Sequence, residues 1–369
     1  MGSPEQFVPG ICHLNHATGS ADGGIAAAVA DLIEAQRHQG LVPQWCTGDR
    51  HRSWSRDRHL LQEVLSLAPA VAHIHGLWRA PTRIVPGLAA AAVPVVIAPH
   101  GMLDPWAMAN SRWKKQLVWR LWEHHAVAAA GCLQALCPAE ADAIRALGFD
   151  GPIALIPNGV RAPEPGRRNG APPWASCIAA GEKVLLFLGR FHAKKGLKPL
   201  LEAWSLVAKA AAAEGWWLVL VGYGDGGALR SRAEREGLER LLVLGPCFGA
   251  EQQACYNGAD AFVLPSFSEG LPMAALEAMS WSLPCLLSPA CNLPEAFTTG
   301  AALPVLPVAS ELVGSLHALL TMPKEERTQM GAAGSRLVQQ HYSWPQAAEA
   351  TMAVYRWLLG EGPRPVSLL

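Results

Sequence analysis

Short apolar runs recur along the chain, separated by longer stretches in which apolar and polar positions mix, and this alternation predicts strands and helices in turn. The first run, residues 8–14, is followed by a glycine-containing loop and an alanine-rich helix over 25–38. Further strands are expected at 41–46, 71–75, 95–98, 133–137 and 153–156, with a helix over 139–147 before the last of them. A second series begins at 184–188 and continues at 217–221, 241–244, 261–264 and 282–288. Helices are expected near the end of the chain at 310–320, 324–341 and 343–359, the last with Ser343 as N-cap. Strands alternating with helices in this way form parallel sheets, so the fold class is α/β.

Between the two series, residues 161–180 turn rich in proline and glycine, as a linker does. At 369 residues the chain is long enough for two domains with full cores. We therefore expect an N-terminal domain over 1–163, a linker over 164–181, a second domain over 182–342 and a final helical segment over 343–369.

Charge and cysteine usage narrow the partners. Thirty basic and thirty acidic residues cancel, so no overall field draws the chain to nucleic acid. Nine cysteines without a C-x-x-C pair or matching histidine spacing argue against a zinc site and a disulfide scaffold, and fit a reducing cytoplasm. Neither a leader pattern nor an apolar run of membrane-spanning length is present, so the expected location is cytoplasmic, with peripheral contact at the inner face of the membrane as the variant. The fourteen tryptophans are read chiefly as packing residues.

The chemistry gathers where strands end. After the strand at 261–264, the segment Pro265 to Met279 reads as a loop and then a helix with Pro272 as its first residue; it carries Glu269 in the loop and Glu277 in the helix. Free N–H groups at a helix start hold anions, and carboxylates accept hydrogen bonds from sugar hydroxyls, so this stretch suits a nucleotide sugar. After the strand at 184–188 comes Gly189-Arg190-Phe191-His192-Ala193-Lys194-Lys195-Gly196, in which Arg190 and Lys195 offer cations and Lys194 is read as solvated. Gly222-Tyr223-Gly224 is a weak dinucleotide signal by itself. His100 and His75 both stand at strand ends, and the residue pattern does not choose between them. Residues 112–122 form an amphipathic pattern with Trp113, Leu117 and Leu121 at i, i+4 and i+8 among Lys114, Lys115 and Arg120. A helix packed on the sheet with a solvated basic face is the plainer reading, and contact with anionic lipid the sharper one.

Taken together, Gly23-Gly24, Pro157-Asn158-Gly159-Val160, Arg190 with Lys195, and Glu269 with Glu277 occur in the order of the family 4 glycosyltransferases, which this chain resembles over nearly its whole length. The Glu269 and Glu277 pair resembles that family's E-x7-E signature, and the stretch His100 to Trp106 looks like that of bacterial members that build surface or exopolysaccharides. The resemblance implies the GT-B fold: two Rossmann-like domains facing across a cleft, with a last helix that crosses back to the first. It implies that Arg190, Lys195 and the Gly23-Gly24 loop hold the donor diphosphate, that Glu277 binds the ribose, and that Glu269 with the backbone of Gly270, Leu271, Pro272 and Met273 orients the donor sugar. It favours His100 over His75 as the histidine facing that sugar, sets Gly222 beside the donor, and puts the loop of Phe248 against the base. The 290–295 loop then lines the acceptor side.

The implied reaction is transfer, with retention of anomeric configuration, from a UDP- or GDP-sugar to a hydroxyl of a glycan or lipid-linked glycan. No Asp-x-Asp motif occurs, so the expectation is a metal-independent enzyme without a cofactor, in which cations and helix dipoles neutralise the leaving diphosphate. Two alternatives stand beside it, an epimerase or hydrolase of nucleotide sugars with the same fold and a non-catalytic scaffold of a glycan assembly complex.

Overall fold

The computed structural model describes residues 10–18, 24–49, 56–105, 108, 112–163 and 170–369. The chain divides into two compact units, one formed by Met1–Gly159 with Trp344–Leu369 and the other by Val160–Ser343.

The first unit holds a parallel sheet of β1 (Ile11–Asn15), β2 (Gln44–Thr47), β3 (Val71–His75), β4 (Val95–Ala98), β5 (Cys132–Ala135) and β6 (Ile153–Leu155), in the order β2-β1-β3-β4-β5-β6. Because helices cover both faces, most of these strands are buried on both sides and read as unbroken apolar runs. On one face Leu60, Val64, Val85, Leu88, Ala126 and Ile144 pack against Cys12, Leu14, Ile74 and Ile97. On the other, Leu32 of the helix Gly24–His38 and Ala348, Val354 and Tyr355 of the C-terminal helix Trp344–Leu358 pack against Ile11, Val71 and Val96. The last residues follow that helix onto the sheet edge, where Leu155 N–H donates to Ser367 O at 2.8 Å and Leu369 N–H to Ile153 O at 2.8 Å.

The second unit repeats the design with β7 (Lys183–Leu188), β8 (Trp216–Val221), β9 (Leu241–Leu244), β10 (Ala261–Leu264), β11 (Cys285–Leu287) and β12 (Ala302–Pro304), all parallel, in the order β12-β11-β10-β7-β8-β9. Trp204 and Trp216 are fully enclosed in its core. Each indole N–H keeps a partner there, Trp204 on Glu239 O at 3.1 Å and Trp216 on Leu320 O at 2.9 Å, which removes the penalty of burying a polar group.

Several boundaries differ from the sequence expectation for local reasons. The strand expected from 41 starts at Gln44, because Pro43 has no N–H for a ladder. The one expected over 282–288 shrinks to Cys285–Leu287, since Ser282 is left-handed at φ 58° and Pro284 precedes the strand. Pro272 is the N-cap of the helix Met273–Ser280 rather than its first residue, with ψ at 86°, outside the helical range. The expected loop at 290–295 contains a 3-10 turn, Pro289–Cys291, and a short helix, Pro294–Thr298. The expected helix at 112–122 is α-helical over Arg112–Val118 and widens to a π-turn over Trp119–Glu123. Its apolar stripe does not pack on the sheet: Trp113, Leu117 and Leu121 are 66%, 51% and 59% exposed. The inward group is Glu123, buried and accepting from Trp78 N–H and Thr82 Oγ1–H, each at 2.6 Å. No helix among the described residues is long and apolar enough to cross a membrane.

Candidate functional site

In the second sheet the strand order reverses between β7 and β10, which lie side by side at that point. Open α/β sheets bind ligands at such a switch point. The β7 loop carries Arg190 to Gly196, and the β10 loop carries Pro265 to Pro272. Gly196 has φ 69°, and a Cβ there would stand 1.9 Å from Pro265 O. Only glycine lets the loops approach so closely. Phe267 N–H then donates to Lys194 O at 2.7 Å, and Lys195 Nζ lies 2.6 Å from Glu269 Oε1.

Glu269 is held from several sides. Ser266 Oγ–H donates to the same carboxylate oxygen at 2.5 Å, Glu269 N–H donates to Ala290 O at 3.0 Å, and Asn292 Nδ2–H donates to Glu269 O at 2.6 Å and Gly270 O at 3.1 Å. Its side chain is 6% exposed and that of Lys195 15%. A charge pair this enclosed and this well bonded keeps its geometry, whereas a surface pair would not.

Glu277 lies on the helix Met273–Ser280, and its Oε2 accepts from Gln252 Nε2–H at 2.8 Å and from Tyr256 O–H at 2.7 Å. Burial and the neighbouring Glu277 charge push the Tyr256 hydroxyl well above its usual pKa, so it stays a donor. With one carboxylate oxygen fixed, the direction of the other is set. Gly270 to Met273 lead into the first turn of this helix, where N–H groups lack intrahelical acceptors. Arg190 is exposed on the β7 loop, and the Phe248 ring is 69% exposed on the loop after β9. Gly222 has a packing reason to be glycine, since a Cβ there would meet Gly189 O at 1.8 Å.

The first unit concentrates a different chemistry at its own switch point, between β1 and β3. His13 on β1 and His73 and His75 on β3 lie on the face covered by Gly24–His38 and Trp344–Leu358, and all three are buried. Their nitrogens lie close enough together to hold a metal ion. They are, however, engaged otherwise: His13 Nδ1 is 2.9 Å from His75 Nε2, His13 Nε2 is 2.8 Å from Gln36 Oε1, and His73 Nδ1 is 2.6 Å from the Tyr355 hydroxyl. His75 Nδ1 continues to His100 Nε2 at 3.0 Å.

His100 follows β4 in the left-handed region at φ 53° and is partly buried. Glu140 holds the next residues in place, accepting from Gly101 N–H at 2.5 Å and Leu136 N–H at 2.8 Å. Of the two histidines left open by the sequence, His75 therefore sits inside, between two other imidazoles, and His100 ends the row. Gly24 opens its helix and is exposed; Gly23 lies outside the described residues.

Sequence reasoning missed the partners. Ser266, in the β10 loop three residues before Glu269, had a readable signal, because a hydroxyl at that spacing reaches a following side chain. Gln252 and Tyr256, on another helix, and Gln36, 315 residues before Thr351 and 319 before Tyr355, had none.

Residues 41–159 match the family described as glycosyl transferase 4-like domain, and residues 182–322 the family described as glycosyl transferases group 1. O-antigen chain mannosyltransferase B of Escherichia coli is 28% identical over 184 residues, which are 48% of this chain and 47% of that protein. The chain spans about half the length of the relatives it matches. Among solved structures, sucrose-phosphate synthase from Thermosynechococcus elongatus superposes with TM-score 0.76 at 19% identity, covering 95% of this chain and 99% of that one. HepE of Anabaena, solved with UDP and glucose, gives TM-score 0.70 at 15% identity, covering 94% and 99%. These likenesses establish the GT-B fold.

Proposed function

Because the chain belongs to the family 4 glycosyltransferases, we propose that it moves a sugar from a nucleotide-diphosphate sugar to a hydroxyl of a glycan or lipid-linked glycan acceptor in surface polysaccharide biosynthesis. The observation that carries this reading is the meeting of Lys195 with Glu269 at the β7/β10 switch point, next to the helix that bears Glu277. Cleavage of the sugar-phosphate bond leaves a nucleoside diphosphate with growing negative charge. Preplaced cations stabilise that charge most when they need not reorganise. Lys195, tethered by one of its three N–H bonds to Glu269, has this property, and Arg190 adds a second cation on the same loop.

Glu277, with Oε2 fixed by Gln252 and Tyr256, accepts from the ribose hydroxyls. Glu269 and the Gly270 to Met273 backbone orient the sugar, and His100 is assigned to the same sugar. Gly222 and the Phe248 loop serve the donor end, with UDP or GDP as carrier; the HepE complex with UDP speaks for the former. The family resemblance assigns Gly23 and Gly24 to the diphosphate. With no enzymic nucleophile in this set, the acceptor hydroxyl attacks from the leaving-group side and the configuration is retained. Lysine, arginine and helix dipoles take the place of a metal. The exposed Trp113, Leu117 and Leu121 with their flanking lysines make the segment 112–122 the contact with anionic membrane.

Release of nucleoside diphosphate from UDP-, GDP- and ADP-sugars, in EDTA, tests the reading. Wild-type protein should turn over one of them, and Lys195→Ala and Glu277→Ala should each lose on the order of 10²–10³ in rate, the effect of removing a preorganised partner of developing charge or a fixed binding contact. Folded protein that binds none of the three sinks the proposal.

A further inference from the structure

The row of imidazoles behind His100 has a direction. It begins at Gln36, whose amide orientation is fixed by its surroundings: Thr351 gives its hydroxyl hydrogen to Ala348 O at 2.9 Å and so receives from Gln36 Nε2–H at 3.3 Å. The Tyr355 oxygen, 3.4 Å from the same Gln36 nitrogen, can accept from it while its own hydrogen goes to His73 Nδ1 at 2.6 Å. Gln36 Oε1 therefore faces His13, and because an amide oxygen only accepts, His13 Nε2 must carry the hydrogen in the 2.8 Å bond. A neutral imidazole has one donor and one acceptor, so His13 Nδ1 accepts from His75 Nε2–H, and His75 Nδ1 accepts from His100 Nε2–H. Neutrality is what the site imposes: burial holds His13 and His100 down to about 4 and pushes His73 and His75 well below their usual values.

We infer that Gln36, His13 and His75 are positioning residues that form a one-way hydrogen-bonded chain, which locks His100 in its Nε2–H tautomer and leaves Nδ1 as a bare acceptor for a substrate hydroxyl. Its consequence for catalysis rests on the assignment of His100 to the donor sugar; the tautomer itself does not. Through Thr351 and Tyr355, the C-terminal helix Trp344–Leu358 sets the direction of the chain at its origin. Reversing one bond would need all of them to reverse. His13 Nε2 would then be bare opposite Gln36 Oε1, two acceptors face to face, and turning the amide to relieve this would set Oε1 against the Thr351 oxygen, whose hydrogen is on Ala348 O. A metal on His13, His73 and His75 is the competing use of these nitrogens. Against it stands the 2.9 Å separation of His13 Nδ1 and His75 Nε2, a hydrogen-bond distance. Two nitrogens on one tetrahedral zinc, each about 2.0–2.1 Å from it, would stand roughly 3.4 Å apart.

Nitrogen NMR of the full-length protein with labelled histidine reads the tautomer directly. His100 should show a pyridine-like Nδ1 and a protonated Nε2, unchanged on titration with zinc ion. Gln36→Met, which keeps the shape and removes the acceptor, should give a mixture of His100 tautomers. Thr351→Val, which frees the amide to turn, should do the same to a smaller extent and serves if the first variant does not fold. A protonated Nδ1 in the wild type, a wild-type spectrum in both folded variants, or stoichiometric zinc that shifts His13 and His75 overturns the chain. In turnover, the folded variant should lose on the order of tenfold or more in kcat with KM for the nucleotide sugar held, the pattern of a wrong tautomer. A changed tautomer with unchanged kcat would leave the chain standing and remove His100 from the proposed reaction.

Discussion

The two units share a parallel six-stranded sheet with one reversal of strand order, yet they fill the reversal point with opposite chemistry. In Val160–Ser343 it holds charge, the Lys195–Glu269 pair with Glu277 beside it. In the unit completed by Trp344–Leu369 it holds neutral rings, His13, His75 and His100 bonded nose to tail. Topology thus decides where a site lies and leaves its chemistry to the side chains. A leaving diphosphate calls for charge, whereas a hydroxyl group calls for a neutral acceptor of fixed direction, and burial supplies the second by making protonation costly.

Acid should separate the units most sharply. An imidazole whose pKa drops from 6.5 in the unfolded chain to about 4 when folded, as for His13 and His100, is protonated only in the unfolded chain between those values. The unfolded state then binds the extra proton, so stability is intact above pH 6.5 and falls as pH drops toward 4. Each such histidine takes away about 1.4 kcal/mol per pH unit inside that window. Hydrogen exchange should show the amides of β1 and β3 losing protection before those of β7 and β8; equal protection of both sheets throughout the window would contradict the assignment of neutral imidazoles.

A smaller effect tests the charged side. Gly196→Ala forces a left-handed residue to carry a Cβ against Pro265 O, and should destabilise Val160–Ser343 by at least about 2 kcal/mol. The same change parts Lys195 from Glu269, so turnover should drop in the fraction that remains folded. Denaturant unfolding followed by tryptophan fluorescence, with rates measured on folded material, checks both; a wild-type midpoint and rate would mean that the loops do not need this contact.

The smallest effect concerns the surface. Replacing Lys114 and Lys115 by glutamine should weaken flotation with vesicles containing anionic lipid by about 1 kcal/mol per charge, and Trp113→Ala should weaken it further, with turnover of a soluble acceptor unchanged. Wild-type protein that does not float with such vesicles would end the membrane reading of 112–122.

Much of the fold was legible because apolar runs of four to six residues and the helices between them are local signals, and strands 71–75, 95–98, 241–244 and 261–264 fall where the pattern puts them. Proline and left-handed residues moved other boundaries. At the site, Lys195 and Glu269 were readable as charged residues in loops after strands, and their contact was not, because it depends on Gly196 and Pro265 touching across sixty-nine residues of sequence. The apolar stripe at 112–122 shows the opposite case: its period was right and its direction could not be read, since a helical pattern states which residues share a face and not what that face meets.

The sequence by itself determined the α/β class, the order of the strands along the chain, the charged loops after β7 and β10 and the histidine after β4. Only the tertiary structure decided which loops touch, that His75 lies inside and His100 at the end of a directed row, and that the C-terminal helix, expected to return to the first unit, orients Gln36 there. The physical reason is range. Propensity and periodicity act over a few residues and leave their mark in the string, while a hydrogen bond's direction is fixed by whichever groups the packed core brings to its two ends.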